Sequence, residues 1–307
     1  MNEINLATPV ASIHEKDSPY TAAGLGDRIH LVTIAWAYAT KLHCLVIMHI
    51  SGNGMNESKQ NSFQEILDLF PKGHIRIIFH DYLGTSNKSW IMYLRDKGIN
   101  AKTFYYGDYL GRFGKKFGVD ISPFLRDFPK LKIPQAEMQA KKSDERHITV
   151  QWDSTAPTRT LPKQKQLLVL SKYHLQGFKI VTIGGESDDF ELRTSLSAAA
   201  LAISRADLHV GVDSGFMHLA FLYLDFSRIH LYVDPKGFWA HHLFRAIQNG
   251  CICNYHYLQP TKSEKLRIKL LYNSKVLNYI IFSRPKVLDY LRKKSSFLNA
   301  FRARSLD

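Results

Sequence analysis

The chain has 307 residues, 45% hydrophobic and 12% aromatic, enough for a large buried core and a length that favours two domains over one. Its 41 basic residues outnumber 27 acidic ones, for a formal net charge of +14. Such a surface attracts anions: nucleotides, phosphorylated glycans, anionic lipid heads or nucleic acid. Three cysteines, Cys44, Cys251 and Cys253, are too few for a disulfide scaffold and fit a reducing compartment. Cys251-Ile252-Cys253 has one intervening residue, short of the spacing of a zinc knuckle. No apolar run approaches the ~20 residues of a membrane-spanning helix, and MNEINLATPV lacks a basic-then-apolar signal pattern. The expectation is a cytoplasmic protein, with contact to the inner face of the membrane left open.

In chain order, a short strand candidate at 10–13 precedes AAGLGDRIH (22–30). The helix expected at 28–42 is apolar nearly all round, as a buried helix is. Strands at 45–50 (LVIMHI), 75–79 (IRIIF) and 103–106 (TFYY) alternate with helices at 62–70 and 86–97. The stretch 134–146 is polar and without a clear apolar period, so a linker is placed near 140–146. Strands then follow at 148–152 (ITVQW), 179–183 (KIVTI), 208–212 (LHVGV) and 229–233 (IHLYV). Between and after them lie helices at 162–175, 192–204, 216–224 and 235–248. Residues 251–253 read as a strand with alternating faces. This order predicts an α/β protein with parallel sheets covered on both faces. Its domains would be 1–140 and 147–282, followed by a basic, helix-like tail at 283–307.

In open α/β sheets ligands sit beyond the carboxyl ends of strands, where the next helix presents N–H groups and a partial positive charge. Two loops fit. In GVDSGFMHLA (211–220), Asp213, Ser214 and Gly215 form the turn after a strand. Gly215 allows close backbone approach, and His218 lies one turn into the helix. An anion site and plain helix capping by Asp213 or Ser214 both remain open here. In AAGLGDRIH, Gly24 and Gly26 precede Asp27 and Arg28 at the start of the buried helix. Asp27 is either a cap or a carboxylate aimed into a cleft.

Absences narrow the chemistry. No Asp-x-Asp, the pair that commonly holds a divalent ion on a nucleotide diphosphate, occurs in the chain. There is no GxxxxGK[ST] loop, GxSxG, HExxH or GxGxxG.

GVDSGFMHLA resembles the D-[ST]-G-x-x-H-L signature of the ADP-heptose lipopolysaccharide heptosyltransferase family. GLGD before a buried helix resembles that family's N-terminal G-x-G-D loop. VQWDSTAPTR (150–159) with Leu161-Pro162 is similar to its strand plus hydroxyl-rich loop ending in a basic residue and W-P. Ile183-Gly184-Gly185-Glu186 and LSAAALAISRA (196–206) are similar to the elements that follow. Arg159 stands where the family has Lys, and Leu161 where it has Trp.

The resemblance implies a GT-B glycosyltransferase, with two Rossmann-like domains facing across a cleft. It implies an inverting reaction that needs no metal or other cofactor. Asp27 would be the general base. Asp213, Ser214, Gly215 and His218, with Ser154, Thr155, Arg159 and Lys163, would hold the donor diphosphate. Glu186, after Gly184 and Gly185, would contact the ribose or base. Gly24, Gly26 and Arg28 would form the acceptor loop. The implied partners are a nucleotide sugar and a bacterial surface glycan or glycolipid acceptor, for which an anionic one would suit the charge. The heptose itself does not carry over. Two other readings stand beside this one. A GT-B nucleotide-sugar epimerase shares the scaffold. A non-catalytic nucleic-acid binder would use the charge, but the aromatics lie in apolar runs rather than in a basic stripe, so no nucleic-acid partner is expected.

Overall fold

The computed structural model describes residues 2–8, 10, 24–103, 118–121, 130–131, 146–153, 159–184, 191–193, 195–233 and 254–257. The expected helix at 235–248, the linker at 140–145 and the tail at 283–307 lie outside them. So do most of the strand expected at 103–106 and the one at 251–253.

The first sheet runs β3-β2-β1-β4, all parallel, from β1 (Glu3–Ala7), β2 (Leu45–Ser51), β3 (Ile75–His80) and β4 (Lys102–Thr103). The strand described ahead of the glycine loop is Glu3–Ala7, which lies outside the expected 10–13. Val10 forms a bend, and residues 11–13 lie outside the described set. In β1 the apolar Ile4 and Leu6 alternate with Glu3 and Asn5, the period of a pleated strand. Asn5 is satisfied inside the sheet, its Oδ1 2.8 Å from His49 Nε2. After β1 the chain is tied to α3 (Asn87–Asp96). The Val10 N–H donates to Asn87 Oδ1 (2.7 Å), and the fully buried Trp90 donates its Nε1–H to the Thr8 carbonyl (2.9 Å).

Helix α1 (Leu25–Leu42) is buried at every residue from Ile29 to Ala39, as its all-round apolar sequence demands. Helix α2 spans Glu57–Asp68, five residues earlier than expected, because the Asn56 side chain accepts from the Lys59 N–H and starts the helix in a polar stretch.

The second sheet has the order β10-β9-β8-β5-β6-β7, again all parallel. Its strands are β5 (His147–Gln151), β6 (Lys179–Ile183), β7 (Glu191–Arg193), β8 (Leu208–Val212), β9 (Ile229–Val233) and β10 (Asn254–Tyr257). Counted from β5, this is the doubly wound order 3-2-1-4-5-6 of a Rossmann-like fold. Helices α4 (Lys163–Leu175) and α5 (Leu196–Arg205) connect the strands. The helix expected at 192–204 is divided. Leu192 belongs to the edge strand β7, and α5 starts after Ser195, whose hydroxyl accepts from the Ala198 N–H.

Ile148, Val150, Tyr173, Ile180, Val210 and Val212 lie in one buried cluster beneath this sheet. The strand starts are pinned by polar bonds. The His147 N–H donates to Asp207 Oδ2 (2.9 Å), and Arg228 donates to the Ala206 and Asp207 carbonyls. Strand order reverses between β5 and β8, so the loops leaving these two strands flank the crevice where such sheets take ligands.

The chain forms two compact units. One comprises Met1–Ile133, Ser214–Phe226 and Trp239–Ile252; the other comprises Pro134–Asp213, Ser227–Phe238 and Cys253–Asp307. Helix α6 (Gly215–Tyr223) thus belongs with the first unit, although it directly follows β8. Its far end is anchored there: the Leu131 N–H donates to the Leu222 carbonyl (2.8 Å) and Lys130 Nζ to the Phe221 carbonyl (3.0 Å). A cation beside the last carbonyls of a helix also meets its dipole favourably. Among the described residues no helix is long and apolar enough to cross a membrane.

Candidate functional site

Helix α1 starts at a residue with no side chain to cap it. Gly24 is the N-cap, in extended conformation. Asp27 turns back so that its Oδ2 accepts from the Gly24 N–H at 3.3 Å. This is the reciprocal half of a capping box, and it fixes the carboxylate at the helix start, where the positive end of the helix dipole favours its charge. Arg28, next in sequence, is half-buried. Burial lowers its pKa from the ordinary value, and the neighbouring Asp27 charge opposes that shift.

Helix α6 starts at Ser214, extended (φ −152°, ψ 173°), whose side chain makes no capping bond. Its first residue, Gly215, packs directly on the α1 start. A β-carbon there would fall 2.6 Å from Leu25 Cβ and 2.9 Å from the Gly26 backbone nitrogen. Gly26 meets the same helix. A β-carbon on it would fall 2.6 Å from His218 Cδ2 and 3.1 Å from His218 Nε2. Gly215 therefore serves close approach between two helices. His218 is 6% exposed. Its Nδ1 lies 2.8 Å from His30 Nε2, with the two rings edge-on at 4.1 Å.

Two sequence motifs nearly 190 residues apart thus meet at the starts of two helices. Of the other described helices, α2, α3 and α5 are each closed by an N-cap side chain, from Asn56, Ser86 and Ser195, while α4 starts after Pro162 with no side-chain capping bond. At α1 and α6 no N-cap side chain takes up a first-turn N–H. Adjacent helix starts of this kind concentrate N–H donors and positive dipole ends, the elements of an anion site.

In the second unit, the switch point carries its own pair. Asp213, at the end of β8, is 4% exposed. Arg159, from the loop after β5, lies against it: Nη1 is 3.5 Å from Asp213 Oδ2 and 3.4 Å from the Asp213 carbonyl oxygen. A cation thus sits on the loop crossing at the carboxyl ends of β5 and β8. Lys163 is exposed at the first position of α4. Gly184 follows β6 with φ +64°, a left-handed conformation that suits glycine. Ser154, Thr155, Gly185 and Glu186 lie outside the described residues.

The structure brings Gly26 against His218 and Gly215, at the helix starts that also carry Gly24, Asp27, Arg28 and Ser214, and it pairs Arg159 with Asp213. It adds His30, which the sequence reading left as one more residue of a buried helix. The available signal was spacing: His30 is four residues after Gly26, on the same face of α1. Among the described residues, no group of three His, Cys, Asp or Glu side chains is placed to hold a metal ion.

No family model and no curated protein matches the chain. Its chain path is similar to that of solved glycosyltransferases. One is the ADP-heptose LPS heptosyltransferase II of Escherichia coli, at 11% identity, covering 88% of this chain and all of that one, with a TM-score of 0.49. Another is a glycosyl transferase family 9 protein from Veillonella parvula, at 13% identity, covering 96% and 97%, also at 0.49. A third is an iron-containing dodecameric glycosyltransferase from enterotoxigenic E. coli, at 15% identity, covering 75% and 57%, at 0.47. At such identities the likeness is one of chain path and carries no residue roles.

Proposed function

We propose that this protein is an inverting glycosyltransferase of the GT-B type. In this reading it moves a sugar from a nucleoside-diphosphate donor to a bacterial surface glycan or glycolipid without a metal ion. The observation that carries the reading is the meeting of the GLGD and DSGFMH motifs at Gly26 and His218, where two helix starts lie together and no N-cap side chain makes a capping bond.

Each residue then has a role. The acceptor hydroxyl gives its proton to the Asp27 carboxylate as its oxygen forms a bond to the anomeric carbon. The bond from that carbon to the diphosphate oxygen breaks in the same displacement, and the nucleoside diphosphate leaves. A single displacement inverts the anomeric centre and needs no covalent enzyme intermediate. Charge growing on the diphosphate is met by the N–H groups of the α6 start and by His218. Arg159, Ser154, Thr155 and Lys163 would add cation and hydroxyl donors. Gly184, Gly185 and Glu186 would border the ribose or base. Metal independence rests on the absence of an Asp-x-Asp pair from the sequence. The +14 charge suits an anionic acceptor and peripheral contact with an anionic inner membrane face.

The test is a thermal-shift screen of ADP-, GDP-, UDP- and CMP-linked sugars in excess chelator. Transfer from the stabilising donor to extracted surface glycans is then followed. Stabilisation by one nucleoside-diphosphate sugar, and transfer with the chelator present, are expected. Absence of both would overturn the reading. Release of a 2-epimer without an acceptor would replace transferase by epimerase.

A further inference from the structure

We infer that His30 is a positioning residue that sets which nitrogen of His218 carries the proton. The inference rests on the transferase reading, in which His218 gives an N–H to the donor diphosphate. A neutral imidazole has one N–H and one bare nitrogen. The short contact between His30 Nε2 and His218 Nδ1 (2.8 Å) needs one proton between them. If His218 supplies it, the other edge of its ring presents a bare Nε2, whose lone pair repels an anion. If His30 supplies it, the His218 proton resides on Nε2, and that nitrogen is a donor. Which nitrogen of a histidine is protonated is set by the bond made at the other one.

The geometry assigns the two edges. The Nδ1 edge of His218 is held by His30 on α1. The Nε2 and Cδ2 edge lies against Gly26, at the paired helix starts. Both rings are buried, at 2% and 6% exposure, so the contact is shielded from competing water. The rings meet edge-on, with 82° between their planes and 4.1 Å between centroids, so the two nitrogens are the groups that face each other at 2.8 Å. Any side chain on Gly26 would collide with the Nε2 edge. Gly26 therefore sets its backbone, without a side chain, against that edge of His218.

The tautomer assignment gives His30 a role distinct from packing. A residue that donates from the same place should substitute for it, and one of similar bulk without a donor should not. His30→Gln keeps an N–H donor; His30→Leu keeps volume alone.

The experiment uses the full chain. Nitrogen-15 imidazole spectra give the protonation site of His218, and calorimetry with inorganic pyrophosphate in chelator gives affinity. The unliganded wild type is expected to show His218 protonated at Nε2 and bare at Nδ1. His30→Leu should bind pyrophosphate about tenfold more weakly, and His30→Gln should come within about twofold of wild type. His218 protonated at Nδ1 in the wild type would overturn the inference, even if His30→Leu fails to fold. So would a folded His30→Leu with wild-type affinity while His218→Ala loses binding, a result that leaves the phosphate role of His218 standing. Unchanged affinity in His218→Ala would instead overturn the functional reading on which the inference rests.

Discussion

A β-carbon added to Gly26 would lie 2.6 Å from His218 Cδ2, so the glycine of the first motif is in contact with the histidine of the second. Glycine here is required by the approach of two helices. On the facing helix, the corresponding β-carbon of Gly215 would meet the Gly26 backbone nitrogen at 2.9 Å, which cannot rotate away.

Gly215→Ala should therefore push α6 from α1. Overpacking of this kind costs about 1–3 kcal/mol, and denaturant melts should show it. Gly26→Ala should cost less stability if the His218 ring swings aside, and should then lose diphosphate affinity instead. Equal small effects on both quantities in both variants would contradict the contact.

Asp27 has two duties that a conservative change separates. Asp27→Asn keeps an oxygen to accept from the Gly24 N–H but cannot take a proton. Sugar transfer should fall by about 10²–10⁴-fold, while donor affinity and melting temperature stay near wild type. Asp27→Ala should lose the cap as well and melt lower, with about 1 kcal/mol less stability. Equal loss of transfer and donor binding in Asp27→Asn would refute a base role.

Arg159 pairs with the buried Asp213 at 3.5 Å while keeping 30% of its side chain exposed. Removing the cation takes this partner from a carboxylate only 6% exposed, so Arg159→Ala should lower stability by on the order of 1–3 kcal/mol. Donor KM should rise several-fold if the cation borders the diphosphate. A drop in melting temperature with unchanged KM would make Arg159 a structural residue.

Two buried histidines predict acid sensitivity. Burial lowers the His209 pKa to about 3, with His230 adding repulsion, and lowers that of His49 to about 4, with His80 adding to it. The unfolded chain protonates near 6.5 and takes up protons that the folded chain refuses. Stability is therefore full above pH ~6.5 and declines as pH falls toward 4 and 3. The loss is on the order of 2 kcal/mol per histidine by pH 5. Denaturant melts across pH 7 to 5 should show this slope. His209→Leu should lower the proton uptake on unfolding by about one. An unchanged slope in that variant would remove His209 from the account.

The parallel α/β architecture was legible in the sequence because β2, β3, β5, β6, β8 and β9 are apolar runs flanked by turns or helices. β1 was not, because Glu3 and Asn5 break its apolar run. Asn5 is accommodated by His49, a partner 44 residues away. The α2 start was missed because the first turn, Glu57 to Gln60, lies outside the core and carries no apolar signal; its cue was the Asn56 cap. The short edge strand β7 offers three residues, too few for a period to register. At the site, each motif was readable by itself. Their contact at Gly26 and His218 and the His30–His218 bond join residues 192 and 188 positions apart, and spacing along the chain holds no record of that.

The central claim is that the α6 start, with His218, holds the diphosphate of a nucleotide sugar. Calorimetric titration of ADP, GDP and UDP into wild type and His218→Ala, in excess chelator, tests it most directly. The account predicts that at least one of the three binds the wild type and binds His218→Ala about tenfold more weakly. No binding by the wild type, or equal affinity in the two proteins, would contradict it.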